Sequence, residues 1–310
     1  MIKIIKRCIL NYDFLFFIVS NLYGLINGFK KVTINKNEVC IIEKNKKFIL
    51  SYHTRVYAFD VIREFNYYTS SVEGIFKHNL YEYNFSKPGL HKIPNKNIDF
   101  YYTFLPEGIE TNDIYLKYLD IKSGDYILDL GAYCGLSTYT FSKAVGDEGL
   151  VISVEPDIQN FNALEKNVKN FNLKNVNIIN CAIWSEDTEL EFINDGNMGS
   201  AVSTLIDRYS NKTKINAFSL DSIVSKFNLA KVNAIKMDIE GSEYKVFTNL
   251  SQFINVYKPK FIIEIHKNNS GVIDCKFFEK IFAENNYSFE IRKQSEKGIF
   301  PLIFAYPKVN

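Results

Sequence analysis

From about Tyr101 onward, short apolar runs of strand length alternate with longer amphipathic runs of helix length. No other feature constrains the fold of this chain as strongly. Strands are expected at 126–130, 150–154, 176–180, 233–237 and 260–265, with helices near 136–145, 159–170, 220–227, 242–250 and 273–284. Alternation of this kind builds a parallel sheet with helices on both faces. Two more apolar runs, 287–291 and 301–306, are joined through Lys297-Gly298. So short a connection allows only an antiparallel hairpin, because a parallel crossover needs more chain. The expected class is α/β: a doubly wound, mostly parallel sheet closed by a C-terminal antiparallel hairpin.

The first hundred residues read differently. Residues 38–52 form an expected hairpin around the polar stretch Glu43-Lys-Asn-Lys-Lys47, and the Tyr-, Phe- and Asn-rich region 53–100, broken at Pro88-Gly89 and Pro94, has no assignable period. The segment 8–29 is apolar and flanked by Lys3, Lys6, Arg7, Lys30 and Lys31, but Asn11, Asp13, Ser20, Asn21 and Asn27 interrupt it. A helix packed on the body is expected there, or an interfacial one, and not a span. Residues 1–47 carry nine Lys/Arg against three Asp/Glu, within a net charge of only +2, so a globally basic nucleic-acid binder is excluded. The five cysteines are scattered, without a CxxC pair, which argues against a disulfide framework or zinc ribbon and for a reducing, cytoplasmic setting. The four histidines share no ligand spacing, so no zinc site is expected.

In an open α/β sheet, ligands bind beyond the carboxyl ends of the strands, where strand order reverses. The first such end is Asp129-Leu-Gly131-Ala132-Tyr-Cys-Gly135. Gly131 permits a tight turn, and Gly135 lets a ligand approach the backbone where the helix starts. A dinucleotide fingerprint would place its first glycine where Asp129 stands. The carboxylate there repels a pyrophosphate but suits a cofactor carrying an ammonium and a sulfonium, which points to S-adenosylmethionine rather than NAD. Glu155-Pro156 closes the second strand, where a carboxylate can accept both ribose hydroxyls. Asn180 and Ala182, flanking Cys181 at the third, could read the adenine edge and leave room for its ring. The fourth end, Lys236-Met-Asp238-Ile-Glu240-Gly241-Ser-Glu243, gathers three carboxylates at one turn, a costly arrangement unless they are paired or working. Asp238 is expected to face the transferred methyl group, and Glu243 is either functional or a helix N-terminal charge. Glu264 and His266 point to the same side of the fifth strand, and a histidine at a cleft rim is a candidate base.

Taken in order, DLGAYCG, VEPD, NVNIINCAI, SLDSIV, KMDIEGSEY and FIIEIH resemble the FkbM-type S-adenosylmethionine-dependent methyltransferases, over roughly residues 101–268. The resemblance implies a class I methyltransferase (Rossmann-like) fold at 101–310, preceded by an N-terminal helix and mixed cap region at 1–100. It also implies, mostly, O-methylation of hydroxyls on sugars or secondary metabolites. By motif, Asp129, Gly131, Gly135 and Glu155 become cofactor contacts, and Asp238, Glu240, Gly241 and Glu243 the family's signature turn. Tyr133-Cys134 stands where members usually have Asn-Val or similar. The catalytic candidates are Asp238, His266 and Glu243; Ala132, Pro156, Asn180, Ala182 and Asp238 join the cofactor contacts. A divalent ion between Asp238 and Glu264 is admissible but disfavoured. The connection 196–203 is either a lid or a solvent loop. The acceptor is expected to be a small molecule or glycan, with no nucleic acid partner, and the basic aromatic N-terminus allows peripheral membrane contact. A catalytically inactive methyltransferase-like module and, less readily, an NAD-dependent oxidoreductase are the alternatives.

Overall fold

The computed structural model describes residues 12–28, 30–194, 196, 199–202, 212–293 and 300–308. The chain forms two compact units, Met1–Ile109 and Glu110–Asn310.

In the first unit, helix α1 (Asp13–Ile26) buries only the stripe Phe16, Ser20 and Gly24, a spacing of four that keeps one face inward. Asn21 fixes the following strand by a two-way amide pairing: its Nδ2 donates to the Val32 carbonyl (3.0 Å) and its Oδ1 accepts from the Val32 amide (2.9 Å). The strands β1 (Lys31–Ile34), β2 (Glu38–Glu43) and β3 (Lys46–Ser51) form an antiparallel meander that contains the expected hairpin. Helices α2 (Ala58–Arg63) and α3 (Phe65–Ser71) then carry the chain over to β4 (Ile75–Lys77) and β5 (Leu80–Phe85). β5 pairs in parallel with β3, giving the order β1-β2-β3-β5-β4. Phe48 stacks on Phe85 at 5.1 Å in the core, and a separate hairpin, β6 (Gly89–Ile93) with β7 (Ile98–Tyr102), follows. Among the described residues no helix is long and apolar enough to cross a membrane.

The second unit begins within α4 (Ile109–Leu119) and is built on β8 (Tyr126–Leu130), α5 (Leu136–Val145), β9 (Leu150–Val154), α6 (Ile158–Asn170) and β10 (Val176–Ile179). After an excursion come α7 (Leu220–Lys226), β15 (Ala234–Met237), α8 (Glu243–Phe247), α9 (Ser251–Tyr257), β16 (Lys260–Glu264), α10 (Cys275–Glu284), β17 (Tyr287–Lys293) and β18 (Pro301–Pro307). The seven-stranded sheet runs β10-β9-β8-β15-β16-β18-β17. Its first five members are parallel; β18 is antiparallel to β16, and β17 to β18. This is the class I methyltransferase sheet, and the expected hairpin inserts its second strand between β16 and its first. The segment linking the two hairpin strands, including Lys297-Gly298, lies outside the described residues.

Alternation along each strand feeds two cores. Leu128, Ile152, Ile235 and Ile263 pack with Ile223, Val246, Phe253, Phe278 and Phe282 on one face. Ile127, Val151, Ala234 and Ile262 pack with Tyr115, Leu119, Phe141 and Val145 on the other. Phe278 and Phe282, one turn apart on α10, each contribute about 1.5–3 kcal/mol by burial. The excursion is a smaller sheet that the sequence did not suggest: β11 (Ala182–Ile183), β12 (Thr188–Ile193), β13 (Ala201–Val202) and β14 (Lys212–Phe218), ordered β11-β14-β12-β13.

Candidate active site

β9 lies on one side of β8 and β15 on the other, so strand order reverses at β8, and the carboxyl ends of these strands are where a doubly wound sheet binds its ligand. Asp129, on β8, is fully buried. Its Oδ2 accepts from Ser137 Oγ (2.8 Å) and Thr138 Oγ1 (2.7 Å), in the first turn of α5. Its Oδ1 accepts no hydrogen bond among the described residues, and Lys236 Nζ stands 3.7 Å away. Lys236 is itself buried; its ammonium donates to the Gly131 carbonyl at 2.6 Å and lies 3.8 Å from Asp238 Oδ2. Sequence reasoning assigned this lysine no role. The available signal was a single charge inside an otherwise apolar strand, Ala234–Met237.

The glycine turn folds over the end of β9. The Gly131 and Ala132 amides both donate to the Val154 carbonyl, at 2.9 and 3.0 Å. Gly131 and Gly135 have φ of 78° and 91°, conformations open to glycine at no steric cost. A Cβ on Gly131 would fall far inside contact with the Asp238 carbonyl oxygen, so the two strand ends touch backbone to backbone. Tyr133 also holds a left-handed φ, 51°. Asparagine visits that region far more readily than tyrosine.

Glu155 is engaged by main chain: Oε2 accepts from the Tyr133 amide (2.8 Å) and Oε1 from the Asp157 amide (2.9 Å). Burial, then the neighbouring Asp157 carboxylate, push its carboxyl up to about 8 against those two donors and the Asn160 side chain. Asn180 gives its amide hydrogens to the carbonyls of Glu155 (2.8 Å) and Pro156 (2.9 Å), so it fixes the strand-end turn, and Pro156 lies half-buried within that turn. Ala182 is buried and belongs to β11, paired with Ala217 of the smaller sheet. Asp157 is a further residue the sequence reading passed over. It caps α6 through the amides of Gln159 (2.8 Å) and Asn160 (3.2 Å), and its Oδ2 accepts from the Gly196 amide (2.8 Å) and Ser200 Oγ (2.7 Å). That fastens Gly196 and Ser200, in the connection read as either a lid or a solvent loop, to the helix; Asn197, Met198 and Ser203 lie outside the described residues. The VEPD tetrapeptide ahead of an amphipathic run was the available signal for the cap.

The catalytic candidates converge at the ends of β15 and β16. Glu240 (φ 54°) and Gly241 (φ 101°) turn the chain so that Glu243, fully buried, reaches back to accept from the Ile239 amide at 3.1 Å. The same oxygen accepts from His266 Nδ1 at 2.9 Å, while Glu243 Oε2 has no hydrogen-bond partner among the described residues. The opposite nitrogen, Nε2, faces Asp238 and Glu240 at 3.7 Å each and Glu264 at 3.8 Å. Phe300 covers the imidazole at 4.5 Å, and the Tyr244 hydroxyl donates to the His266 carbonyl at 3.0 Å. Asp238 and Glu240 are each 29% exposed and form the open side. Burial opposes charge on His266, but Glu240, Glu243 and Asp238 outweigh it and raise the imidazole well above its ordinary value. Burial, then Asp238, push Glu264 up to about 8. A histidine held cationic is a proton donor, so in this state Asp238 is the better acceptor of the two expected bases.

The family model described as the methyltransferase FkbM domain matches residues 129–289, more than half of the chain. Among solved structures, an FkbM methyltransferase from Methylobacillus flagellatus is 18% identical, with a TM-score of 0.44; the match covers 62% of this chain and 50% of that one. This chain thus spans half the length of that relative. An O-methyltransferase from Bacillus cereus in complex with S-adenosylhomocysteine is 14% identical, at TM-score 0.41, covering 64% and 81%. The precorrin-6y C5,15-methyltransferase from Geobacter metallireducens is 12% identical, at TM-score 0.40, covering 64% and 88%. No curated protein sequence matches the chain. The matched residues run from Asp129 past His266 and so take in the glycine turn, the strand-end carboxylates and the signature turn together: this chain belongs to the FkbM family of S-adenosylmethionine-dependent methyltransferases.

Proposed function

We propose that the protein transfers a methyl group to a hydroxyl on a sugar, glycan or small metabolite. The observation that carries this reading is the pairing, at one switch point, of a buried carboxylate with a vacant acceptor, Asp129 Oδ1, and a half-exposed carboxylate, Asp238. The first fits the cofactor's ammonium. The glycine turn fits a close backbone approach, and Glu155, with lone pairs beyond its two main-chain bonds, fits the ribose. S-adenosylmethionine, when bound, supplies a methyl group on a sulfonium that departs as a neutral thioether.

The protein's own residues position and deprotonate the acceptor. Holding the reacting atoms in line contributes about 7–11 kcal/mol. Asp238 takes the hydroxyl proton, a role worth about 10²–10⁴-fold, and cationic His266 beside it steadies the charge of the site. Glu243 orients His266 through Nδ1.

The test is thermal unfolding of the full chain with S-adenosylhomocysteine, with NAD as control. At 100 times its Kd a ligand that binds only the folded state adds about 2.7 kcal/mol. A raised midpoint that vanishes in Asp129→Asn supports the reading; no rise at saturation refutes it and brings forward an inactive module.

A second observation bears on where the acceptor is met. Helix α1 exposes Phe14, Leu22, Leu25 and Ile26, the last by 82%, and the exposed Lys31 follows. We read this as peripheral contact with an anionic membrane surface. Co-flotation with phosphatidylglycerol vesicles that is lost in Leu22→Glu/Leu25→Glu is expected, and a full-length chain that stays at the bottom of the gradient removes the reading.

A further inference from the structure

Asp238, Glu264 and His266 present one ligand atom each within 4.8 Å of one another, from the ends of two adjacent parallel strands. Glu264 is 9% exposed, and its carboxylate faces His266 Nε2 at 3.8 Å, beyond hydrogen-bond reach. Nε2 is in the same condition: His266 is 4% exposed, and the three carboxylates around this nitrogen stand at 3.7–3.8 Å, beyond hydrogen-bond reach. Nε2 and the Glu264 carboxylate therefore face each other across a gap that neither closes.

The gap is close to the size of an ion. Ligands bound at about 2.2 Å on one centre can lie up to ~4.4 Å apart; the 3.7 and 3.8 Å separations from Nε2 fall inside that span, and since all three ligand atoms lie within 4.8 Å, an ion need draw the two carboxylates together by only a few tenths of an ångström. The imidazole is also held as a metal-bound histidine is held. Its Nδ1 donates to the buried Glu243 carboxylate at 2.9 Å, which fixes the ring and leaves Nε2 as the ligand atom, an ion bound there displacing to solvent the proton that Nε2 carries in its absence. Access comes from the side where Asp238 and Glu240 are each 29% exposed.

We propose that Asp238, Glu264 and His266 bind one first-row divalent cation, of which Mn²⁺ is the best match to two carboxylates and one imidazole. Carboxylate ligands suit Mg²⁺ and Mn²⁺, whereas the nitrogen ligand moves the preference toward the transition series. Resting on the methyltransferase reading, the ion's role is to hold the acceptor oxygen on its open positions and to lower the pKa of that hydroxyl. The proton then leaves to the outer oxygen of Asp238.

The experiment is Mn²⁺ titration of chelator-treated full-length protein, read by loss of the free-ion electron paramagnetic resonance signal. In parallel, thermal unfolding is measured with S-adenosylhomocysteine. One bound Mn²⁺ per chain is expected. Affinity should fall by at least about tenfold in Glu264→Gln and in His266→Gln, and be unchanged in the exposed control Glu284→Gln. Because the two buried substitutions can disturb folding, Asp238→Asn at the exposed side gives a third, tolerant reading of the same loss. Absence of Mn²⁺ binding, or binding unaffected by all three variants, overturns the site. If that happens while S-adenosylhomocysteine still raises the midpoint, the metal site alone fails. If Mn²⁺ binds and S-adenosylhomocysteine has no effect, the site stands and the methyltransferase reading fails.

Discussion

Removing the Lys236 charge tests how the two strand ends are joined. Lys236→Met keeps the length and apolar stem of the side chain but deletes its ammonium. In the folded protein that ammonium sits 3.7 Å from Asp129, donates to the Gly131 carbonyl at 2.6 Å, and lies 3.8 Å from Asp238. Asp129 is fully buried, so bulk solvent does not replace the lost cation. Breaking a buried ion pair by removing one partner costs about 3–5 kcal/mol. Asp238 adds little to this, being 29% exposed. The expected loss is therefore about 4 kcal/mol. Urea unfolding followed by fluorescence reports it directly, because the single tryptophan, Trp184, lies in the unit that carries the site. Adding Asp129→Asn removes the stranded charge, so the double variant should be about 1–3 kcal/mol more stable than the sum of the single losses requires. A loss under about 1 kcal/mol, or additivity within ~0.5 kcal/mol, would refute the argument that this lysine compensates Asp129.

Three further outcomes are expected. Burial holds His91, stacked on Phe85 at 4.1 Å, down to about 4, below its unfolded value of 6.5. Between those values the unfolded chain binds the extra proton, so stability of the first unit falls on acidification from 6.5 toward 4 and levels off below. That loss is about 3 kcal/mol by near-ultraviolet circular dichroism of the tyrosines, and His91→Phe, which keeps the stacked ring, should flatten the profile. Gly131→Ala and Gly124→Ala both place alanine at positive φ, 78° and 84°, but only the first meets backbone; the second has open space around it. Gly124→Ala should cost about 1–2 kcal/mol of strain, whereas Gly131→Ala should cost clearly more and abolish the S-adenosylhomocysteine shift. Equal losses would mean the strand ends can part. Asp157→Ser keeps a good helix cap but loses the contacts to Gly196 and Ser200, while Asp157→Ala loses both. The alanine variant should be about 1 kcal/mol less stable than the serine one in urea. If serine matches wild type, Gly196 and Ser200 are not fastened by this carboxylate.

What was legible in the sequence, and what was not, follows the range of the forces involved. β8, β9, β15 and β16 are continuous apolar runs because both faces are covered, and the sequence reading placed them within a residue of their ends. The smaller sheet was hidden because β12 and β14 are largely solvent-facing and charged. Their register, with Leu190 opposite Ile215 and Glu191 opposite Lys214, is a long-range backbone pairing that no single-strand periodicity announces. The parallel pairing of β3 with β5 was equally invisible, since it joins segments separated by two helices.

The strand-end rule placed Asp129, Glu155, Asp238, Glu264 and His266 at or beside strand ends, where the structure has them, because residue positions follow from topology. It did not identify which atom of each faces which neighbour. Glu243 illustrates the difference: read along the chain it is a charge in the first turn of a helix, where a dipole welcomes it and solvent surrounds it. In the fold it is buried without exposure, because Gly241 turns the helix start inward and His266, 23 residues later, meets the carboxylate. That one contact decides the chemistry of the histidine. With Nδ1 committed to Glu243, only Nε2 is left for the strand ends. It meets three carboxylates there, so His266 is a cation, or the ligand of one, before it can be a base.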